Sequence, residues 1–327
     1  FVDFANGNDA SDGWGKATAW KTARNAFAGN KITPGARVIL SSGESIENGV
    51  GSMEYAANAS PATDASRPVQ ISGQGRDATF VTLSGATEGW RGTTSQAWKV
   101  RICDMTLRPA DTTKITLWDN STATAGTPVW TIEDARLGSR NVGSARDIYC
   151  RVSDVSVIRS DLENTVEATK YTFLIEGAAK LRMESSRAYG GRATSAGAAA
   201  LTVLHCEFDA YAVAAIGITS TSTVAPLIAN SVFFNSQQNP ITNASATVTL
   251  TSAMVCGNYY ARPAGAGVPD PLLQIAGPLA RNPATLEPYA FADMCEVASP
   301  VGVSWDYYGN PFRARPAIGA VEIPPAI

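Results

Sequence analysis

The densest set of chemically capable side chains lies between Lys180 and Asp209. Read as an extended chain, Leu204-His205-Cys206-Glu207-Phe208 sends Leu204, Cys206 and Phe208 to one face and His205, Glu207 and then Asp209 to the other. Twenty-three residues earlier, Leu181, Met183 and Ser185 repeat the first set, and Arg182, Glu184 and Ser186 repeat the second. Stacked in that register, Glu184 lies beside Glu207 and Arg182 beside His205, at the spacing of about 4.8 Å between neighbouring strands. Two carboxylates that close repel when ionised, so one becomes a general acid with a raised pKa or the pair takes a cation. The competing arrangement is a solvated ladder in which Arg151, Arg182 and Arg187 neutralise these acids at little energetic gain. His205 is the sole histidine, so a histidine base or a Ser-His-Asp triad has to use it; an ordinary hydrogen-bonded role competes.

Four tryptophans form a second candidate set. Trp90, Trp98, Trp118 and Trp130, interspersed with Arg91 and Arg108, can present indole faces to the C–H faces of sugar rings, with Asp209 as a polar contact; the same residues can equally plug a core. Asp9 and Asp12, within Asn6-Gly7-Asn8-Asp9-Ala10-Ser11-Asp12-Gly13, have the look of a cation-binding turn, but no glutamate follows at EF-hand spacing and Asx-turn chemistry explains them as well. No CxxC pair or His/Cys cluster is present, so the expectation is no metal ligand set and no required cofactor, with Ca²⁺ a possible addition. The five cysteines are odd in number and widely separated, which reads as small buried side chains.

The elements that must position these residues are strands. Runs of four to eight residues rich in Val, Ile, Thr, Leu and Phe alternate with Gly, Asn, Ser, Asp and Pro clusters, and amphipathic helical stretches are nearly absent. The exception is roughly Ala19 to Ala28, a short helix stopped by Gly29-Asn30. Similar segments recur at Val100–Met105, Ile148–Val152, Leu204–Phe208, Ala229–Phe233 and Met254–Asn258. Cys206 to Ser231 and Ser231 to Cys256 are each 25 residues, a repeat that makes successive coils of a solenoid, each burying the face of the last. The predicted organisation is one elongated all-β domain: N-terminal strand and capping helix over 1–45, coils over 46–262, and a proline-rich covering segment over 263–327.

Charge narrows the partners. With 26 Lys+Arg against 29 Asp+Glu the chain carries a formal −3, which disfavours a nucleic-acid partner, and no apolar run is long enough for a helical membrane span. The chain opens at Phe1 without an initiator Met, consistent with a processed N-terminus.

Both ends carry a resemblance. Val2-Asp3-Phe4-Ala5-Asn6-Gly7-Asn8-Asp9, Ala19-Trp20-Lys21-Thr22 and Ile32–Leu40 resemble the start of right-handed parallel β-helix proteins of the pectate-lyase-like superfamily. Trp305-Asp306-Tyr307-Tyr308-Gly309-Asn310-Pro311 and Arg315–Glu322 are similar to the closing segment of secreted and phage-encoded members. The resemblance implies a right-handed parallel β-helix on an extracellular or virion surface. In lyases of this superfamily, Lys, Arg or a similar base takes the proton beside a uronate carboxylate that Ca²⁺ or another cation neutralises. The outward set Arg182, Glu184, His205 and Glu207 is the nearest match. Against it, only seven lysines occur, no acidic cluster resembles the Ca²⁺ sites of pectate lyases, and the Asn-Thr-Asp and Gly-Asp-Asp strings of the hydrolases are missing.

The expectation is therefore a structural or carbohydrate-contacting module, such as a phage appendage or decoration component. Its partners are a polysaccharide or cell-surface glycan, a possible homo-oligomer such as a trimer, and capsid or tail proteins. A polysaccharide lyase, or less readily a glycoside hydrolase, is the alternative.

Overall fold

The computed structural model describes residues 1–27, 35–47, 54–56, 67–84, 88–93, 99–112, 115–119, 127–209, 211, 213–234, 239–256, 258–260, 265–269, 273–274, 305–308 and 310–311. The chain divides into two units, Phe1–Ser156 with Leu162–Thr165, and Val157–Asp161 with Val166–Ile327. Each contributes strands to the same three parallel sheets, which successive coils of a right-handed parallel β-helix visit in turn up to Tyr259–Tyr260 among the described residues.

In the first unit, Arg37–Ile39, Val69–Ser72, Lys99–Cys103 and Val129–Glu133 are neighbours in one sheet, and Gly43–Glu47, Thr79–Leu83, Thr106–Pro109 and Arg136–Gly138 in another. The third sheet holds Glu54–Ala56, Glu88–Thr93, Ile115–Asp119 and Arg146–Cys150. Alternation decides what is buried: in Val129–Glu133, Trp130 and Ile132 point inward, opposite Val100 and Ile102 of the previous coil. The N-terminus closes against this unit. Val2 bridges Leu40 and Trp20, its N–H donating to the Ile39 carbonyl at 2.8 Å, so the sheet edge is covered rather than left open. The expected capping helix is shorter than the sequence pattern, Ala23–Phe27 after a 3₁₀ turn at Lys16–Thr18, because Trp20 is used as a bridge partner. Buried Glu47 accepts the Ala23 and Arg24 N–H groups at its start.

In the second unit, Lys180–Glu184, Ala200–Leu204, Leu227–Ala229 and Val255–Cys256 form the first sheet. The second sheet holds Arg187–Tyr189, Glu207–Asp209, Val232–Phe234, Tyr259–Tyr260 and Leu273–Gln274. Tyr171–Ile175, Ala193–Ser195, Ile216–Ile218 and Ile241–Asn243 form the third. Inside, Phe208, Phe233 and Tyr260 occupy matching positions of successive coils; the phenyl rings stack with centroids 4.9 Å apart and Tyr260 meets Phe233 edge-on at 5.2 Å.

The bend between the first and second sheets has one recurring device. Asp104, Asp134, Arg159, Ser185, His205 and Asn230 each follow a first-sheet strand, and each has φ between 45° and 56°. A single left-handed residue turns the chain sharply, and the residue after it is driven inward: Met105 and Ala135 in the first unit, Ser160, Ser186, Cys206 and Ser231 in the second, all buried. In the second unit these side chains also satisfy neighbouring backbone, the Cys206 N–H donating to Ser231 Oγ at 3.1 Å and the Ser231 N–H to Asn258 Oδ1 at 2.9 Å.

The even repeat expected from sequence is corrected here. Arg37 lies opposite Gln70, an advance of 33 residues, whereas Arg182 lies opposite Thr202, an advance of 20, and Thr202 opposite Leu227, an advance of 25. The strands are held to sheet register and the outer connections absorb the difference. Nor do the cysteines form one column: Cys103 and Cys256 end first-sheet strands, Cys150 belongs to the third sheet, and only Cys206 sits in the turn column; Cys295 is outside the described residues. The four described cysteines are free thiols; Cys103, Cys150 and Cys206 are buried as expected, whereas Cys256, at the end of its strand, is only half-buried.

Candidate functional site

The outer faces of the second unit decide what the predicted residues do. On Lys180–Glu184, Lys180, Arg182 and Glu184 face out and Leu181 and Met183 face in. Arg182 lies opposite Thr202, Met183 opposite Val203, and Glu184 opposite Leu204. The expected stacking of Arg182 on His205 and of Glu184 on Glu207 is therefore wrong. The difference has one physical source: Leu204–Phe208 is not a continuous strand, because His205 is the left-handed residue of a turn, where parity restarts and the chain enters another sheet.

The four candidates consequently do not form one exposed constellation. Arg182 pairs with Glu184 on its own strand, at the surface. His205 is 1% exposed and accepts at Nε2 from Asn230 Nδ2, 3.1 Å away, linking two successive turns. Glu207 is also 1% exposed; its carboxylate lies 3.2 Å from Arg187 Nε, its register partner one coil earlier. Asp209 ends the same strand and is buried. Cys206 is buried as expected, and burial pushes its thiol up to about 12.

Arg187, the partner of Glu207, is covered by residues 305–308, which in the sequence stand out only as a closing motif. Tyr307 lays its ring over the Arg187 guanidinium at 4.1 Å, with Tyr308 at 5.7 Å, and the Tyr307 hydroxyl donates to both Asp161 oxygens at 3.0 and 2.9 Å. The Ser185 hydroxyl donates to the Trp305 carbonyl at 2.6 Å. Burial by itself lowers the Arg187 pKa; Glu207 foremost, then Tyr307, Tyr308 and Asp161, overcome that and hold it above the ordinary arginine value. The arrangement is an ion clamp, with a guanidinium paired to Glu207 beneath a tyrosine whose hydroxyl is bonded to Asp161. A carboxylate so neutralised and covered is poorly placed to exchange a proton with substrate.

The turn itself is tightly held. The Asp306 carboxylate accepts the Tyr308 N–H at 3.0 Å, the Asn310 N–H at 2.7 Å and Asn310 Nδ2 at 3.1 Å, and Trp305 bridges Pro311. Held this way, Trp305 and Tyr308 remain 51% and 52% exposed. The signal that could have found them is their spacing about an Asp-X-X-X-Asn turn, since an aspartate that caps its own turn displays the residues beside it.

The tryptophan set fares differently. Trp130 is fully buried, in inward register with Val100, and is a core residue rather than a sugar platform. Trp90 and Trp118 occupy strand positions opposite Leu117 and Tyr149, their side chains lying outside what is described, and Trp98 is outside the described residues. Asp9 and Asp12 are spent on local structure: Asp9 accepts the Lys21 and Thr22 N–H groups at 2.8 and 2.9 Å, and Asp12 the Trp14 N–H at 3.0 Å. Among the described residues no group of three or more His, Cys, Asp or Glu is placed to hold a metal ion.

A separate buried polar knot lies in the first unit. Asp147 Oδ1 accepts the Ser144 hydroxyl at 2.5 Å and Asn164 Nδ2 at 3.4 Å, and Gly138, at φ +88°, packs so closely that a Cβ there would fall 2.4 Å from Oδ1. Burial pushes the Asp147 carboxyl well above its ordinary value, with nearby Glu163 adding to the effect. Glu163 itself lies 3.1 Å from Arg140 and 3.6 Å from Arg136.

These features define a parallel β-helix protein with a clamped ionic row and an exposed aromatic turn. No protein-family model and no curated protein matches the sequence. Among solved structures the chain is similar to pectate lyase Pel9A, at 11% identity and a TM-score of 0.44, over 98% of this chain and 96% of that one. It is also similar to pectin methylesterase PemA from Erwinia chrysanthemi, at 11% identity and a TM-score of 0.31, over 84% of this chain and 92% of that one. At that identity and overlap, neither likeness carries an argument about activity.

Proposed function

We propose that the protein is a rigid β-helix module of an extracellular or virion surface, as in a phage appendage or decoration component, that contacts carbohydrate without an outer-sheet acid–base set. One observation carries this: the candidate acid–base residues are neutralised in place, Arg182 by Glu184 and Glu207 by Arg187, while Trp305 and Tyr308 stand half out of the surface on a fixed turn. Exposed aromatic rings on a rigid support suit ligands with apolar faces and polar rims, which describes a sugar ring.

The test pairs binding with turnover. The protein is incubated with a panel of acidic polysaccharides while the ultraviolet absorbance of unsaturated uronates is followed, and affinity electrophoresis is run through the same glycans and through neutral ones. Retarded migration without turnover is the expected result. Absorbance growth abolished by Glu207→Gln or Arg182→Ala overturns the proposal in favour of a polysaccharide lyase. Assembly into trimers, or onto capsid or tail proteins, with no glycan bound overturns it in favour of a purely structural role; sedimentation velocity reads that outcome.

A further inference from the structure

Trp305 and Tyr308 are the large apolar side chains of the second unit that stand most exposed among the described residues. Their surroundings say more than their exposure. The turn that carries them is tied down at three independent points: the Ser185 hydroxyl on the Trp305 carbonyl, the Tyr307 hydroxyl on Asp161, and the Arg187 guanidinium beneath the tyrosine rings. Within the turn, Asp306 takes up three N–H donors. A backbone held this way, with Tyr308 also packed edge-on against Tyr307, has already lost freedom that binding would otherwise take from it, so contact with a flat ligand costs less additional ordering of the turn.

The charges around the turn select the ligand. Asp161, Glu184, Glu207 and the turn's own Asp306 stand against Arg159, Arg182 and Arg187, so among these described residues the carboxylates exceed the guanidinium groups by one. Arg187 is roofed by Tyr307, and Arg182 is paired with Glu184. A polyuronate approaching the rings would bring carboxylates to a surface with an excess of its own charge, where Arg182 and Arg187 are already committed. An uncharged sugar brings an apolar C–H face and hydroxyls, and meets no such penalty.

We propose that the Trp305–Pro311 turn is a binding platform for a neutral glycan, with the Trp305 indole and the Tyr308 ring taking sugar faces; this rests on the carbohydrate-contacting reading above and names the ligand class and the residues. The side chains beneath the turn, Asp161, Ser185 and Arg187 among them, are positioning residues that fix the backbone carrying the rings.

The experiment titrates the intact protein with cellohexaose, mannohexaose, xylohexaose and maltohexaose as neutral probes and with hexagalacturonate as the acidic one, by calorimetry and tryptophan fluorescence. At least one neutral probe binds and hexagalacturonate binds more weakly. Trp305→Ala lowers affinity by about tenfold or more and Tyr308→Ala by about threefold to tenfold, the range expected for stacked rings. Trp305→Phe keeps most of the affinity, shows that the turn still folds, and loses the ligand-induced fluorescence change. Binding that survives unchanged in the Trp305→Ala/Tyr308→Ala double variant sinks the platform and leaves the carbohydrate-contacting reading standing. Tighter binding of hexagalacturonate through the same rings sinks the choice of a neutral ligand. No binding of any probe sinks both proposals together, and self-association lost on Trp305→Ala assigns the rings to a second copy of the chain instead.

Discussion

Glu207 shows how far a side chain's surroundings can override its type. As a carboxylate on an outward strand position it has the credentials of a general acid, yet it is 1% exposed and lies 3.2 Å from Arg187, whose guanidinium is itself roofed by Tyr307. A buried pair of this kind is expensive to break, because removing one partner strands the other charge away from water. Glu207→Ala is expected to destabilise the second unit by about 3–5 kcal/mol, read from urea unfolding midpoints. Tyr307→Phe, which deletes only a hydroxyl donated to a charged group, should cost about 1.5–3 kcal/mol by the same measurement. Equal and negligible effects of both changes would mean that the clamp does not persist in solution. Cys206 makes the complementary point. Buried and pushed up to about 12, its thiol should resist iodoacetamide in the native protein and react only on unfolding, as mass spectrometry of the labelled peptide would show.

Turns set the grammar of the elements. The left-handed position that follows six of the first-sheet strands holds Asp, Asp, Arg, Ser, His and Asn in chain order, and of these Asp and Asn are the residues that tolerate positive φ most readily. His205 is kept there by burial and by Asn230. Replacing it with Asn, which tolerates the dihedral but shortens a buried side chain that takes the Asn230 donor, should cost about 1–3 kcal/mol, whereas His205→Val adds the strain of a β-branched residue at φ 50° and should cost at least about 1 kcal/mol more. A valine variant as stable as the parent in denaturant titration would contradict the turn geometry. This device was half legible in sequence. Three of the repeated segments, around Asp104, His205 and Asn230, fall on these turns, which is why they looked alike. Nothing in Leu204–Phe208 announces that parity restarts at His205, since a strand continuing and a strand bending by one residue have the same hydrophobic pattern. The candidate site was lost at that single dihedral, and the Trp305–Pro311 turn went unused because what it covers lies more than a hundred residues away in the chain.

At the scale of the whole chain, short strands between breakers were enough to indicate a parallel β-helix, but the coil advance was not, because the fold constrains strands to register and leaves connections free. What the sequence conceals altogether is which acids are buried, and this governs the pH response. Asp147 is pushed well above the ordinary value of 3.8, by burial first, and Glu47 is raised from 4.5, again by burial, against the donors from Ser45, Arg24 and Ala23. For a carboxyl whose folded pKa is raised, the stabilising contribution is complete below the unfolded value, where both states hold the proton. It is lost as pH rises, because the unfolded chain ionises freely while the folded chain must keep its proton or bury a charge. Glu44 works in the opposite sense: bonds from Thr82 and then Arg108 lower its value, so its contribution is lost as pH falls through that lowered value. The first unit is therefore expected to be most stable on the acid side of neutrality and to weaken steadily toward alkaline pH. Asp147→Asn is the decisive variant, since an amide oxygen can still accept from Ser144 and never ionises. Thermal unfolding between about pH 4 and pH 9 should show the parent melting earlier as pH rises and the Asn variant with a flatter profile that crosses above it near neutrality. A parent profile that rises across that range, or an unchanged slope in the variant, would show that Asp147 is ionised in the folded protein and that its pocket is not the dry one the packing of Gly138, Ser144 and Asn164 describes.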